Sequence, residues 1–333
     1  MDSRTKRFLW FGVSTAIISS LVYLADLDKF LEALRTADLL LLAPAFFFGL
    51  AVFPAWAYTW YRVFSKAGIY MDYMKSLRIF MAGTFMNSIT PIGQFGGEPV
   101  MAYLVSKNSD ANYEKSISSV FSADIINGIP MVTFVLGGAI YLLIFGALKD
   151  VVLQAVYAAF LATAIGGILV YLLWFESGTI EGAILGAAEK FVNATGLFRD
   201  KLEGLEERLE DVEEAFRDIG EHPRYLFETA IVAHIGFLFQ VGCLYFIMLS
   251  LGYNVDFTPI YFVVVISGLA NFSPTPGGSG TFEAVMAGVA NIFFPVTFAV
   301  GLIAAILFRL TTYWPGIIIG YAALNSLGNG DLM

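Results

Sequence analysis

The stretch Pro91-Ile92-Gly93-Gln94-Phe95-Gly96-Gly97-Glu98-Pro99-Val100-Met101-Ala102 has a second copy downstream, Pro276-Gly277-Gly278-Ser279-Gly280-Thr281-Phe282-Glu283-Ala284-Val285-Met286-Ala287. Pro91, Gly93, Glu98, Val100, Met101 and Ala102 match Pro276, Gly278, Glu283, Val285, Met286 and Ala287 at one constant offset, without a gap. Each copy interrupts a long apolar segment, 77–105 in the first case and 258–294 in the second. Proline removes a backbone donor and clashes with the preceding turn, and glycine relaxes φ, so neither segment continues as one helix. Irregular backbone at membrane depth is tolerated only where protein buries it or it lines a wet cavity. The spacing therefore predicts two re-entrant hairpins, each made of two half-helices meeting at a buried loop.

Further apolar segments flank these two, at 8–25, 39–61, 116–147, 151–175, 225–251 and 296–323. About 20 apolar residues cross a hydrocarbon core of ~30 Å. The chain is 58% hydrophobic and 14% charged, with a mean hydropathy of +0.72, whereas a soluble domain carries about 25% charged residues. The fold class expected is an all-α polytopic membrane protein forming a single membrane domain over 1–333. Arg4, Lys6 and Arg7 precede the segment 8–25 in the manner of a secretory signal. That run is longer than the apolar part of a signal, and Asp26 and Asp28 follow it without a small-residue cleavage site, so a retained first span is expected.

Both hairpins stand in the order span, hairpin, span, which defines repeat one over 39–147 and repeat two over 225–323, with 151–175 as a linking span. An N-terminus in the cytoplasm with re-entrant hairpins puts Arg4, Lys6, Arg7, Arg62, Lys66, Lys75, Arg78, Lys107, Lys115 and the bases of 176–224 on the inner side. Lys29, Arg35 and Lys149 fall outside. This satisfies the positive-inside rule. It predicts a multi-pass protein of the cell (cytoplasmic) membrane with both termini cytoplasmic and hairpins entering from opposite sides. The repeats are then inverted, an arrangement recurrent in secondary transporters.

The net charge of −9 is concentrated in 176–224, which holds 13 acids and 6 bases. Leu202, Leu205, Leu209, Val212, Phe216 and Ile219 step at helical spacing there, predicting an acidic cytoplasmic helical insert packed on the membrane domain. A homodimer through this stripe is the sharper alternative. The acidity argues against nucleic acid as a partner. Cys243 is single, His222 and His234 have no metal-ligand spacing, and no P-loop or nucleophile triad is present. No cofactor, metal site or enzyme activity is expected.

Carboxylates at membrane depth cost about 2.5–3.5 kcal/mol on insertion scales, which makes Glu98, Glu283 and Asp124 candidates for function. Glu98 and Glu283 each open the half-helix after a broken loop, where a carboxylate either caps free amides or serves a cationic group or a proton. Free N–H groups around Gly96, Gly97, Gly277, Gly278 and Gly280 would suit a phosphate. Arg309 needs an anionic partner: Glu283, Glu98 or a bound phosphate. Asn87 and Asn271 are candidates to line the cavity, although amides also join helices.

These two motifs, together with Arg309-Leu310-Thr311-Thr312-Tyr313-Trp314-Pro315-Gly316, resemble the flippase-like membrane domain of lysylphosphatidylglycerol synthases. The similarity runs over nearly the whole chain. It implies a free-standing member lacking the soluble synthase domain, so aminoacyl transfer is not expected. It also implies a lipid flippase-like transporter acting on a phospholipid, an aminoacyl lipid or a polyprenyl-phosphate carrier, with Glu98, Glu283 and Arg309 as motif residues. A lipid synthase or glycosyltransferase is the partner this suggests. A proton-coupled small-anion transporter and a lipid-presenting accessory protein for a membrane glycosyltransferase are the alternatives.

Overall fold

A computed structural model describes residues 35, 37–89, 97–145, 220–273 and 275–328, with 161, 164, 168 and 171 as isolated helical positions. The expected first span at 8–25, most of the linking span, the acidic insert up to 219 and the loop 90–96, with Gly96, lie outside the described residues.

The described residues are helical throughout, joined by short turns. Helix α1 runs Leu39–Lys66, α2 Tyr73–Ile89, α3 Glu98–Lys107 and α4 Tyr113–Phe145. Further along the chain come α5 Pro223–Ser250, α6 Phe257–Leu269, α7 Thr281–Phe293 and α8 Phe298–Gly328. Between α6 and α7 the chain makes two single 3₁₀ turns, Ala270–Phe272 and Pro276–Gly278. Among the described residues four helices are long and apolar enough to cross a membrane: Leu39–Lys66, Tyr113–Gly138, Pro223–Ser250 and Phe298–Leu327. The chain is therefore an all-α, multi-pass membrane protein.

Local chemistry sets the helix ends. Asp38 caps α1, its Oδ1 accepting from the Leu40 amide at 2.8 Å. The helix stops at Gly68, whose φ of 70° is left-handed, and the Ile69 amide turns back to the Phe64 carbonyl at 2.8 Å. Helix α5 stops the same way: Gly252 has φ 83°, and the Tyr253 amide reaches the Met248 carbonyl at 3.0 Å. Only glycine adopts that φ without strain, and the backward bond satisfies an otherwise orphaned carbonyl.

Helices α1 and α5 form the central seam and run antiparallel. At one end the Asp38 amide donates to the Ser250 carbonyl at 2.7 Å. At the other, Tyr225 Oη donates to the Arg62 carbonyl at 2.6 Å and Arg62 bonds Thr229 at 3.0 Å. Trp56 packs on Gly236 and Phe48 stacks on Phe246 with centroids 5.5 Å apart. The α2–α3 hairpin begins and ends beside Arg62: Tyr73 packs edge-on to Tyr61, and Lys75 Nζ donates to the Asn108 carbonyl at 2.6 Å. The α6–α7 hairpin begins and ends at the opposite pole, beyond Ser250, where Phe262 stacks on Phe293 at 5.4 Å.

Exchanging α1 to α4 for α5 to α8 turns every substantial helix–helix contact into another contact that is also present. Thus α2–α8 answers to α4–α6, α3–α4 to α7–α8, and α1–α4 to α5–α8, while α1–α5 maps onto itself. Two cores result. One, around Leu244, Ile260, Val263, Met286 and Phe308, belongs mainly to the second half. The other, around Trp60, Phe64, Ile79, Leu104 and Ile126, belongs mainly to the first.

Close backbone approach ties α8 to the first half. A Cβ on Gly49 would meet the Thr311 carbonyl oxygen at 2.6 Å. We expect Gly49→Val to lower stability by about 1–3 kcal/mol through overpacking, read as a drop in the thermal midpoint of the purified protein in detergent. Gly128→Ala, where an added Cβ has nothing within 4 Å, should cause no loss.

Candidate functional site

Two hairpins entering from opposite poles bring their tips together in the middle of the bundle. Helix α2 touches the Pro276–Gly278 turn. Tyr313 of α8 lies between the tips: its hydroxyl donates to the Ser88 carbonyl at 3.3 Å, and a Cβ on Gly277 would strike its ring.

At the second tip, Gly277, Gly278 and Gly280 have φ of 55°, 68° and 85°, a run of left-handed residues that no side-chain-bearing residue would adopt cheaply. This run starts α7 abruptly at Thr281. Glu283, one turn in, folds back so that Oε2 accepts from the Gly280 amide at 2.7 Å. That is half of a capping box, since glycine has no side chain to complete it. Glu283 Oε1 lies 3.3 Å from Arg309 Nε, with both side chains about 5% exposed or less. The approach is an ion pair by distance only: Nε is not aligned for a hydrogen bond.

The rest of the guanidinium is engaged. Arg309 Nη1 donates to the Gly277 carbonyl at 2.8 Å and Nη2 to Ser279 Oγ at 2.9 Å. Its Cζ sits 3.6 Å from the Tyr313 ring centroid, a cation–π contact in a desolvated setting. Asn271 lies against Gly278. Of the two carboxylates open to Arg309 from sequence, Glu283 is the one in contact.

The first tip is built differently. Asn87 spans it, its Oδ1 accepting from the Gly97 amide at 2.6 Å and its Nδ2 donating to Glu98 Oε1 at 3.4 Å. Glu98 is 3% exposed. The amides of Gly97 and Glu98 approach its carboxylate, yet Oε2 has no aligned hydrogen-bond partner. On α4, part-buried Asp124 accepts from Trp60 Nε1 at 3.2 Å and lies within electrostatic reach of Glu98. No cationic side chain among the described residues pairs with Glu98 or Asp124.

Sequence reading missed Trp60, Ser279 and Tyr313 at this centre. Tyr313 had a signal, since it follows Arg309 by four residues and so shares its helix face. Trp60 had none, because a tryptophan near a span end reads as an interface anchor; here it is 1% exposed. His234 is half-buried and satisfied, with Nδ1 at 2.6 Å from the Ala230 carbonyl and Nε2 at 2.7 Å from Thr133 Oγ1. The cleft lined by Gly68, Ile69, Tyr70, Asp110 and Lys115 belongs to the loops at one pole, at the far ends of the helices whose tips meet.

Spanning helices around two broken hairpins with buried charges at their tips define a polytopic membrane protein with a polar centre. The chain belongs to the lysylphosphatidylglycerol synthase TM region family, whose model matches residues 11–320. A UPF0104 membrane protein of Pyrococcus horikoshii is 24% identical over 322 residues, covering 95% of each chain. One from Methanothermobacter thermautotrophicus is 21% identical over 325 residues, covering 95% of this chain and 94% of that protein. One from Methanocaldococcus jannaschii is 23% identical over 340 residues, covering 96% and 94%. Those relatives carry little sequence outside the matched membrane region.

A buried ion pair that loses one partner leaves an uncompensated charge, at about 3–5 kcal/mol. Glu283→Gln and Arg309→Met should each lower the thermal midpoint sharply. The double variant Glu283→Leu/Arg309→Met should recover most of that loss, and a double-mutant cycle checks it.

Proposed function

We propose that this protein is a flippase-like lipid transporter that moves a phospholipid, an aminoacyl lipid or a polyprenyl-phosphate carrier across the cell membrane. One observation carries the reading: broken hairpins that enter from opposite poles meet tip to tip at Tyr313, with charged residues buried at both tips. The antiparallel α1–α5 seam and the exchangeable contact pattern favour inverted repeats, an architecture suited to alternating access around a central site. Membership of a family described by a lipid synthase's membrane region favours a lipid as cargo. A lipid synthase or glycosyltransferase is then the enzyme that makes or consumes it.

The two tips take different parts in this reading. At the second tip the Gly280 amide and three sides of Arg309 are already engaged within the protein, so Glu283 and Arg309 brace the hairpin. At the first, Glu98 keeps an unengaged oxygen and is the working carboxylate. Arg62, Lys66, Lys75, Lys107, Lys115 and Arg224 gather at one pole. The positive-inside rule makes that pole cytoplasmic, with both termini on the same side.

Translocation of a fluorescent phospholipid in proteoliposomes tests the function. Wild-type protein should speed it over protein-free vesicles, and Glu98→Gln should reduce the rate at least about tenfold, within the range of a lost intramembrane charge contact, while keeping a near-normal thermal midpoint. Equal rates with and without protein, across all three lipid classes, would reject the transporter reading. Orientation is checked separately by placing single cysteines at Glu206 or Glu210 in a Cys243→Ser background. An impermeant maleimide should label them only from the cytoplasmic face of sealed vesicles.

A further inference from the structure

The repeat extends well beyond the hairpin loops. Glu98 and Glu283 are 185 positions apart, and at the same spacing α4 and α8 begin, at Tyr113 and Phe298. Both of those helices contain one proline at that spacing, Pro130 and Pro315. Between start and proline, the same register pairs Asp124 with Arg309. Where the second half sets an arginine against its hairpin glutamate, the first half sets a second carboxylate.

The substitution reverses the local charge at one of two equivalent places. Arg309 answers Glu283 at 3.3 Å. In the first half the same two places hold Glu98 on α3 and Asp124 on α4, helices that pack together, and two carboxylates at membrane depth call for a positive charge to answer them. Their neighbours supply dipoles without charge: Trp60 from α1 and Asn87 from α2. His234 on α5 is held by Ala230 and Thr133. The sequence of the adjoining loop, 90–96, contains no ionisable side chain. Glu98 itself is 3% exposed, and its Oε2 has no aligned hydrogen-bond partner among the described residues, which leaves a buried acceptor open to a ligand.

We propose that Glu98 and Asp124 form the binding site of an exchangeable monovalent cation, which supplies in the first half the charge that Arg309 supplies permanently in the second. A proton, a sodium ion and the ammonium of a lipid head group share the required chemistry: one positive charge able to lie between two carboxylates. The purpose of the site rests on the transporter reading, because an exchangeable charge beside a moving hairpin couples occupancy to transport. Its existence does not, because occupancy is measurable without any lipid flux.

The test uses the full chain in detergent and reads the thermal midpoint. Three probes separate the sources: sodium chloride against N-methyl-D-glucamine chloride at equal ionic strength, a stepwise lowering of pH, and ethanolamine hydrochloride. One of them should raise the wild-type midpoint by at least about 2 °C, as expected for a ligand that binds only the folded state. Glu98→Gln and Asp124→Asn should lose that rise. Asp124→Arg rebuilds the second half's solution in the first and should be insensitive to the same probe. If Asp124→Arg does not fold, the two neutral variants decide. A wild type that responds to none of the probes, or neutral variants that respond as wild type does, overturns the proposal. Intact cation responses with no lipid translocation would reject the transporter reading and leave the cation site standing.

Discussion

A charge inside a membrane protein has to be answered inside the protein, and in this chain Arg309 is answered four times over. Glu283 offers the counter-charge, the Gly277 carbonyl and Ser279 accept from the terminal nitrogens, and the Tyr313 ring covers the face of the guanidinium. The first three groups belong to one hairpin, so a single side chain on α8 fixes the shape of a glycine-rich turn that has little rigidity of its own. Tyr313 then passes that order on to Ser88 of the other hairpin. The centre of the fold is a salt bridge that has recruited backbone.

The backbone problem it solves is general. A helix broken at membrane depth exposes amides and carbonyls that lipid cannot satisfy. At the second tip the Gly280 amide goes to Glu283, the Gly278 amide to the Thr275 carbonyl at 2.9 Å, and the Ser273 amide to the Ala270 carbonyl at 3.1 Å. At the first tip Asn87 does similar work with one carboxamide, bonding both the Gly97 amide and the Glu98 carboxylate. Two chemically different devices hold two equivalent breaks.

Much of this was legible in the sequence, for reasons that differ from element to element. The break at 273–280 could be read because proline and glycine act through local backbone sterics, which need no tertiary context. The membrane class followed from composition alone. The choice of Glu283 for Arg309 was not legible, because a long guanidinium side chain can reach several anions and only the crossing of α7 with α8 selects one. Trp60 was hidden for a similar reason: nothing in its neighbourhood along the chain announces Asp124, 64 residues away. The extent of the two repeats was read from the order of spans, but their register outside the hairpin motif was not, because α4 and α8 keep that register while exchanging residue type, as at Asp124 and Arg309.

The α2–α8 contact is broad and its counterpart α4–α6 is thin, and side-chain volume explains the difference. Helix α8 is bare at Gly316, where an added Cβ would meet the Phe53 ring of α1 and the Thr84 methyl of α2, and at Gly320, where it would meet the Met81 carbonyl of α2. In the same register α4 carries Met131 and Val135, both part of the second-half core. One hairpin is therefore locked backbone to backbone, while the other rides on a cushion of flexible and branched hydrocarbon. Backbones in contact resist sliding, whereas hydrocarbon side chains can repack as the elements above them shift. Two halves with nearly interchangeable contacts are thus packed by different means, one stiff and one compliant.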